Sequence, residues 1–241
     1  MPAQAIGTSA DPSVAVSIVM PVFNEAAGIA HAVQALAPLL ARGSQLVLAD
    51  GGSTDGTMPT AKALAIAHGA TVITVQRGRA AQMNAGAAHA TGAVLLFLHA
   101  DTVLPPDADR HIAAALAAGS AVWGRFDVAI AGRSPMLRVV AAFMNRRSRW
   151  SGIATGDQAI FMTRAAFDTV GGFPDQPLME DIEMSKRLRT LSRPACLRAK
   201  VVTSGRRWES RGVARTIALM WRLRFAYWRG VPAAKLAELY Q

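Results

Sequence analysis

The feature that most constrains this chain is an alternation of short, β-branched apolar runs with helical stretches across its first hundred residues. Runs at 16–23, 46–49, 71–75 and 94–98 read as buried strands. Between them lie helical stretches at 24–42, closed by Gly43, at 57–68, stopped by Gly69, and at 79–89. A spacing of roughly 25 residues is too long for hairpins and fits helical crossovers, so the expected fold is α/β with a mainly parallel central sheet flanked by helices. In such sheets ligands bind beyond the carboxyl ends of the strands.

After residue 101 the rhythm changes. Pro105–Pro106 leads into a helix over 107–118, and 122–131 alternates like a longer strand. Residues 135–149 look helical and basic, 159–162 reads as a short strand, 180–191 as a helix and 195–203 as a strand. A helix over 211–229 and a short terminal helix follow. Residues 1–14 lack periodicity and read as a flexible tail. The expected division is that tail, one α/β domain over 15–203 and a basic helical extension over 204–241.

With 51% apolar residues the chain can build a large core. The single cysteine, Cys196, excludes an intrachain disulfide and a multi-cysteine metal cluster and reads as a small strand residue. No apolar run reaches about 18 residues, and no basic start precedes an apolar run. The expected location is the cytoplasm, free or peripheral at the inner face of the membrane. The net charge of +10 is uneven: residues 1–185 carry 12 basic and 14 acidic groups, residues 186–241 carry 14 and 2. Phosphorylated substrates and anionic membrane surfaces suit such a tail, although 22 Arg against 4 Lys also suggests a coding bias.

Three strand-end or helix-start segments hold the chemistry. In Asp50-Gly-Gly-Ser-Thr-Asp-Gly-Thr57 the glycines permit close approach of a ligand, and Ser53, Thr54 and Asp55 suit the cap of the next helix. Asp50, at the strand end, is placed to accept hydrogen bonds from a base or ribose; an ordinary turn is the other reading. In Phe97-Leu-His-Ala-Asp-Thr102, Asp101 projects at the same sheet edge and suits Mg²⁺ or Mn²⁺ on phosphates, or else caps the Pro105 helix. Met179-Glu-Asp-Ile-Glu183 opens a helix, where acidic residues are favoured by the dipole in any case.

Taken in order with Met20-Pro-Val-Phe-Asn-Glu25 and Gly156-Asp-Gln158, these segments resemble family-2 glycosyltransferases of the GT-A fold, over about residues 16–203. Gly156-Asp-Gln158 and Ser204-Gly-Arg-Arg-Trp-Glu209 are similar to a small bacterial subgroup, the radical-SAM/selenodomain-associated transferases. The resemblance implies a nucleotide-diphosphate sugar donor and a divalent cation. It implies that Pro21, Val22, Asn24, Glu25 and Ser53 line the nucleotide pocket, with Asp50 at the base or ribose. Arg77, Arg79, Gln82 and Asn84 match the segment passing over nucleotide and sugar. Asp101 matches the second carboxylate of the family's Asp-x-Asp metal motif, with His99 in place of the first and Ala100 between. Asp181 matches the catalytic base, supported by Glu180. Gly156, Asp157, Arg207 and Trp208 fall on the acceptor side.

The expected function is inverting transfer of a sugar to an acceptor hydroxyl, the acceptor unknown, and lipid-linked in one reading of the tail. In that reading the 211–229 helix lies on an anionic bilayer; in the other its wide apolar arc packs on the domain. Nucleic acid is not an expected partner. A sugar-phosphate nucleotidyltransferase shares the architecture but calls for a Gly-rich basic loop where this chain has Pro21-Val-Phe-Asn-Glu25. A noncatalytic sugar-nucleotide-binding or membrane-docking protein is the alternative from another class.

Overall fold

The protein is described here by a computed structural model, over residues 15–240. The tail expected at 1–14 lies outside the described residues. The first strands are β1 (Val16–Val22), β2 (Gln45–Asp50), β3 (Thr71–Thr74) and β4 (Val94–Phe97). Helices α1 (Ile29–Ala35), α2 (Ala37–Leu40), α3 (Thr57–His68) and α4 (Arg79–His89) connect them. These four strands pair in parallel, in the order β3-β2-β1-β4.

The sheet then stops being parallel. Strands β5 (Thr102–Val103), β6 (Trp123–Ala131), β7 (Ile160–Thr163) and β8 (Ala195–Ser204) continue it in the order β4-β7-β6-β8-β5. Strand β7 is antiparallel to both β4 and β6, β6 is parallel to β8, and β8 is antiparallel to β5. The sheet is therefore mixed, not mainly parallel. The crossover rule covers only strands joined by single helices. Strand β7 arrives after α5 (Ala108–Ala117), β6 and α6 (Met136–Ser151), so the early rhythm does not govern its direction.

Alternation along the central strands explains the two covered faces. Ile18, Met20, Leu48 and Leu96 face one core with α1, α2, α5 and α6. Val19, Leu95 and Phe97 face the other with α4, α7 (Arg164–Thr169) and α8 (Glu180–Leu188). Each fully buried side chain of this kind contributes about 1.5–3 kcal/mol. Helix α4 crosses β1 so closely that a Cβ at Gly86 would lie 2.3 Å from Val19 Cγ1.

One helix differs from expectation and one agrees with it. The 24–42 stretch starts only at Ile29, after turns, and breaks at Leu36, where Pro38 enters the first turn of α2. The expected 211–229 helix is α10 (Val213–Trp228), entered at Gly212 (φ 84°); a short α9 (Arg206–Arg211) precedes it and α11 (Ala233–Tyr240) follows. Leu223 of α10 and Leu236 of α11 close over Met179 and Ile182 at the start of α8. A buried ion cluster locks α6 to β6: Arg125 pairs with Asp127 and donates to Ser148 Oγ at 3.1 Å and the Asn145 carbonyl at 3.0 Å. Arg149 grips the same Asp127 carboxylate at 2.8 Å with both terminal nitrogens.

Candidate active site

The carboxyl ends of β1, β2 and β4 bring the first motifs together. Asn24 sits in the left-handed region (φ 53°), which its short polar side chain tolerates. Its N–H donates to Ser53 Oγ (2.9 Å), and its Oδ1 accepts from the Thr54 N–H (2.9 Å). The Glu25 N–H donates to Thr57 Oγ1 (2.8 Å) and the Ala26 N–H to Asp55 Oδ2 (3.1 Å). The segment after Pro21 and Val22 is thus stitched to the glycine-rich loop.

Asp50 is 1% exposed, and its carboxylate accepts from the Gly52 N–H (2.9 Å), the Ser53 N–H (3.0 Å) and the Ser53 hydroxyl. It organises its own loop first, with about one of its four lone-pair sites left for a ligand. The α3 cap differs from the expected one. Gly56 holds the N-cap position without a side-chain bond, while Asp55 accepts from the Thr57 N–H at 3.1 Å.

Gln82 and Asn84, expected over the donor, are occupied with the scaffold. The Gln82 amide donates to the Val22 and Ala49 carbonyls (2.7 and 2.8 Å), tying the ends of β1 and β2. Asn84 pairs with both backbone groups of Phe173 at 2.9 and 2.8 Å. Arg77 lies 4.2 Å over the Phe23 ring. Arg79, at the start of α4, reaches Glu180 Oε1 at 3.2 Å; its side chain is 43% exposed and that of Glu180 is 3%.

The end of β4 meets the start of α8 across Gly156. His99 Nδ1 is 3.4 Å from Asp157 Oδ1. A Cβ on Gly156 would lie 2.3 Å from the imidazole Cε1 and Nε2, so the ring lies against bare backbone. The Gly156 N–H donates to Asp181 Oδ2 (2.9 Å), and the Ile182 N–H donates to Oδ1 (2.8 Å). Burial, and next the charge of Glu180, push the Asp181 carboxyl up to about 6, against the pull of those N–H groups and Arg79. Desolvation pushes the Asp157 carboxyl up, but the His99 hydrogen bond and charge, with Arg79 and Arg207, hold it below its ordinary value. A small cavity lined by Met83, Phe97, His99, Gly156, Glu180 and Asp181 joins these groups.

Asp101 is exposed, and Ala100 before it is buried. The Asp101 side chain accepts from the Thr102 hydroxyl at 3.4 Å and, among the described residues, forms no ion pair. It does not cap the Pro105 helix, whose N-cap is Asp107. Among the described residues no three potential ligands cluster. The Asp101 carboxylate is an exposed hard oxygen donor of the kind that suits a divalent cation completed by other oxygen ligands. Glu25 is nearby: burial foremost, with the Asp101 charge, raises its carboxyl, while Arg206 opposes. Arg206 Nη2 lies 3.9 Å from Glu25 Oε2.

Trp208 is not at the cavity; with Arg133, Glu209 and Val213 it lines a separate open cleft. Arg207 bonds to the Tyr240 hydroxyl and acts on Asp157 through its charge. Sequence reasoning missed Arg147. Among the described residues its Nε and Nη2 are buried without a hydrogen-bond partner. Burial lowers the pKa of Arg147, and the nearby charge of Asp181 opposes that. The signal was an arginine inside a helix already read as basic, which says nothing about the side it faces.

A β-β-β-β parallel unit continued by a mixed half, with acidic and polar groups gathered at its carboxyl edge, defines an α/β enzyme fold of the GT-A kind. The chain belongs to glycosyl transferase family 2, whose pattern matches residues 17–171. No curated protein matches it. The fold is similar to a Pyrobaculum calidifontis mannosyltransferase in complex with GDP-Man and Mn²⁺ (TM-score 0.63, 22% identity, 92% of this chain and 64% of that one). It is similar to S. aureus TarS 1-349 in complex with UDP-GlcNAc (0.64, 16%, 79% and 58%). Glucosyl-3-phosphoglycerate synthase from Mycobacterium tuberculosis, in complex with Mn²⁺, UDP and glucosyl-3-phosphoglycerate, is a third (0.55, 20%, 77% and 70%). The chain thus spans less than two thirds of the first two. The matched family is one of glycosyl transferases, not of nucleotidyltransferases. No described helix is long and apolar enough to cross a membrane.

Proposed function

We propose that the protein is an inverting glycosyltransferase that moves a sugar from a nucleotide-diphosphate donor to an acceptor hydroxyl, with Asp181 as general base. The observation that carries this is the Asp181 carboxylate, enclosed beside Glu180 and fixed by two backbone N–H groups, with its pKa raised to about 6. It is ionised at neutral pH yet basic enough to accept a proton as the acceptor oxygen attacks the anomeric carbon. Glu180, ion-paired with Arg79, keeps Asp181 basic and orients the start of α8. One displacement then breaks the sugar–phosphate bond, and the nucleoside diphosphate leaves.

Asp101 is the residue that would hold a divalent cation, Mg²⁺ or Mn²⁺. That ion would neutralise charge developing on the leaving diphosphate. Asn24, Glu25, Asp50 and Ser53 form the nucleotide side, with Pro21 and Val22 as its floor and Arg77 over its rim. Gln82 and Asn84 act there as scaffolding. His99 and Asp157 stand together between donor and acceptor. Neighbours of this fold hold GDP-Man with Mn²⁺ and UDP-GlcNAc, which supports a nucleotide-sugar donor. The subgroup reading, radical-SAM/selenodomain-associated, rests on Gly156-Asp-Gln158 and Ser204-Gly-Arg-Arg-Trp-Glu209. The extension is taken as residues 204–241.

A thermal-shift panel of nucleotide-sugars, with and without Mn²⁺, tests the donor reading. One nucleotide-sugar should raise the melting temperature more with Mn²⁺ than without, because a ligand of the folded state stabilises it. No shift with any of them would overturn the reading.

A further inference from the structure

Helices α6 and α10 share an exposed aromatic ridge. On α10, Thr216 and Leu223 are buried against the fold, so the helix is already anchored by its inner side. Its outer side leaves Trp221 60%, Phe225 60% and Trp228 77% exposed, and Trp150 at the end of α6 is 85% exposed. Met136, Val139 and Phe143 of α6 are exposed as well. The Phe143 and Trp221 rings meet at 5.8 Å between centroids, which joins the two stripes. At about 100° per residue, Trp221, Phe225 and Trp228 fall within about 60° of one another. Arg215, Arg222 and Arg229 occupy the next band of the same outer side, spanning about 40°.

Burial of the inner side accounts for the fold and leaves the ridge unused. Large contiguous apolar patches mark docking surfaces. Charge selects the occupant. Neither α6 nor α10 contains a single acidic residue, and residues 186–241 carry 14 basic against 2 acidic groups. A protein surface of mixed charge finds no complementary anion or cation pattern there. A sheet of uniform negative charge with an apolar interior matches both bands at once. Tryptophan settles at the level of lipid headgroups, and arginine beside it pairs with anionic ones.

We propose that the α6–α10 ridge is the surface by which this protein docks, peripherally, on an anionic lipid bilayer. Trp150, Phe143, Trp221 and Trp228 enter the headgroup region, and Arg215, Arg222 and Arg229 meet the lipid phosphates. No helix needs to cross the bilayer.

The test uses the full chain, co-sedimented with vesicles of phosphatidylcholine alone or of phosphatidylcholine and phosphatidylglycerol in equal amounts, over a salt series. The expected result is binding to the anionic vesicles only, weakened by salt, with a blue shift of tryptophan fluorescence. The variant R215Q/R222Q/R229Q should lose about fivefold in partitioning per arginine, and so about 10²-fold for the three. The variant F143S/W221S/W228S should lose at least about tenfold, since each substitution removes apolar area from the lipid contact. All these positions but Arg215, Arg222 and Arg229 are apolar and exposed, and melting temperature confirms that both variants fold. Equal recovery with both vesicle types, recovery with neither, or undiminished binding by either folded variant would overturn the proposal. So would a lipid-free dimer, seen by light scattering, that the aromatic substitutions abolish.

Discussion

Replacing Asp181 by Asn should harm the reaction and help the fold. The variant keeps the shape and, through its amide oxygen, the bond from the Gly156 N–H. It removes the proton acceptor, so transfer should fall by about 10²–10⁴. The carboxyl titrates near 3.8 in the unfolded chain and at about 6 in the folded one. The ionised form is therefore disfavoured by folding. Well below pH 3.8 both states are protonated and the group costs nothing; the cost grows between about 4 and 6 and is complete above. At 1.36 kcal/mol per pH unit the full cost is at most about 3 kcal/mol. The Asn variant escapes it, and for a chain of this size the melting temperature should rise by up to about 6–12 °C at pH 7.5. At pH 4 the difference should shrink to about a fifth of that. Differential scanning calorimetry at both pH values, with product release measured in parallel, reads both effects. A variant that melts lower at pH 7.5, or gains equally at pH 4, would refute the placement of an ionised carboxylate in a costly site.

Asp101→Asn should abolish the dependence of donor turnover on Mn²⁺ while leaving the melting temperature of the free protein within about 1 °C, since an exposed carboxylate held only by a long bond from the Thr102 hydroxyl contributes little to stability; a metal titration of turnover checks this. Gly156→Ala forces a Cβ to within 2.3 Å of the imidazole and so shifts either His99 or the N–H that fixes Asp181. It should cost about 1–3 kcal/mol in urea unfolding and lower transfer at least about tenfold. His99→Asp sets a second carboxylate against Asp157, 3.4 Å from the present ring nitrogen. Its melting temperature should drop at pH 7.5 and recover when Mn²⁺ and a nucleoside diphosphate are added together. The wild-type rate should rise with pH through about 6 and then level, as Asp181 ionises.

The parallel half of the fold was legible because each of its strands is an apolar run of uniform kind bounded by Gly43, Gly69 or a polar helix start. The mixed half was not: the direction of β7 depends on how α6 returns to β6, and the Arg125–Asp127–Arg149 cluster that ties those two elements together is made of residues that look like ordinary surface charges in sequence. The same limit applies at the site. The positions of Asp50, Asp101 and Asp181 at sheet edge and helix start follow from local pattern. What each side chain touches does not. Gln82 and Asn84 look like ligand-facing amides until β1, β2 and Phe173 come within reach of them. His99 and Asp157 are 58 positions apart, and nothing local announces that they pair. Arg147 is hidden for the same reason. In α10, periodicity found both the arginine band and the apolar arc, but the arc divides into a buried and an exposed part only when α8 and α11 are in place.

The most direct measurement is nucleoside diphosphate release by the purified protein across a panel of nucleotide-sugars in the presence of Mn²⁺, for wild type and Asp181→Asn side by side. Release from at least one nucleotide-sugar by the wild type, reduced about 10²-fold or more in a folded variant that still binds the donor, is the predicted result. Release at the same rate by both proteins, or by neither with any donor, would contradict a glycosyltransferase that works through Asp181.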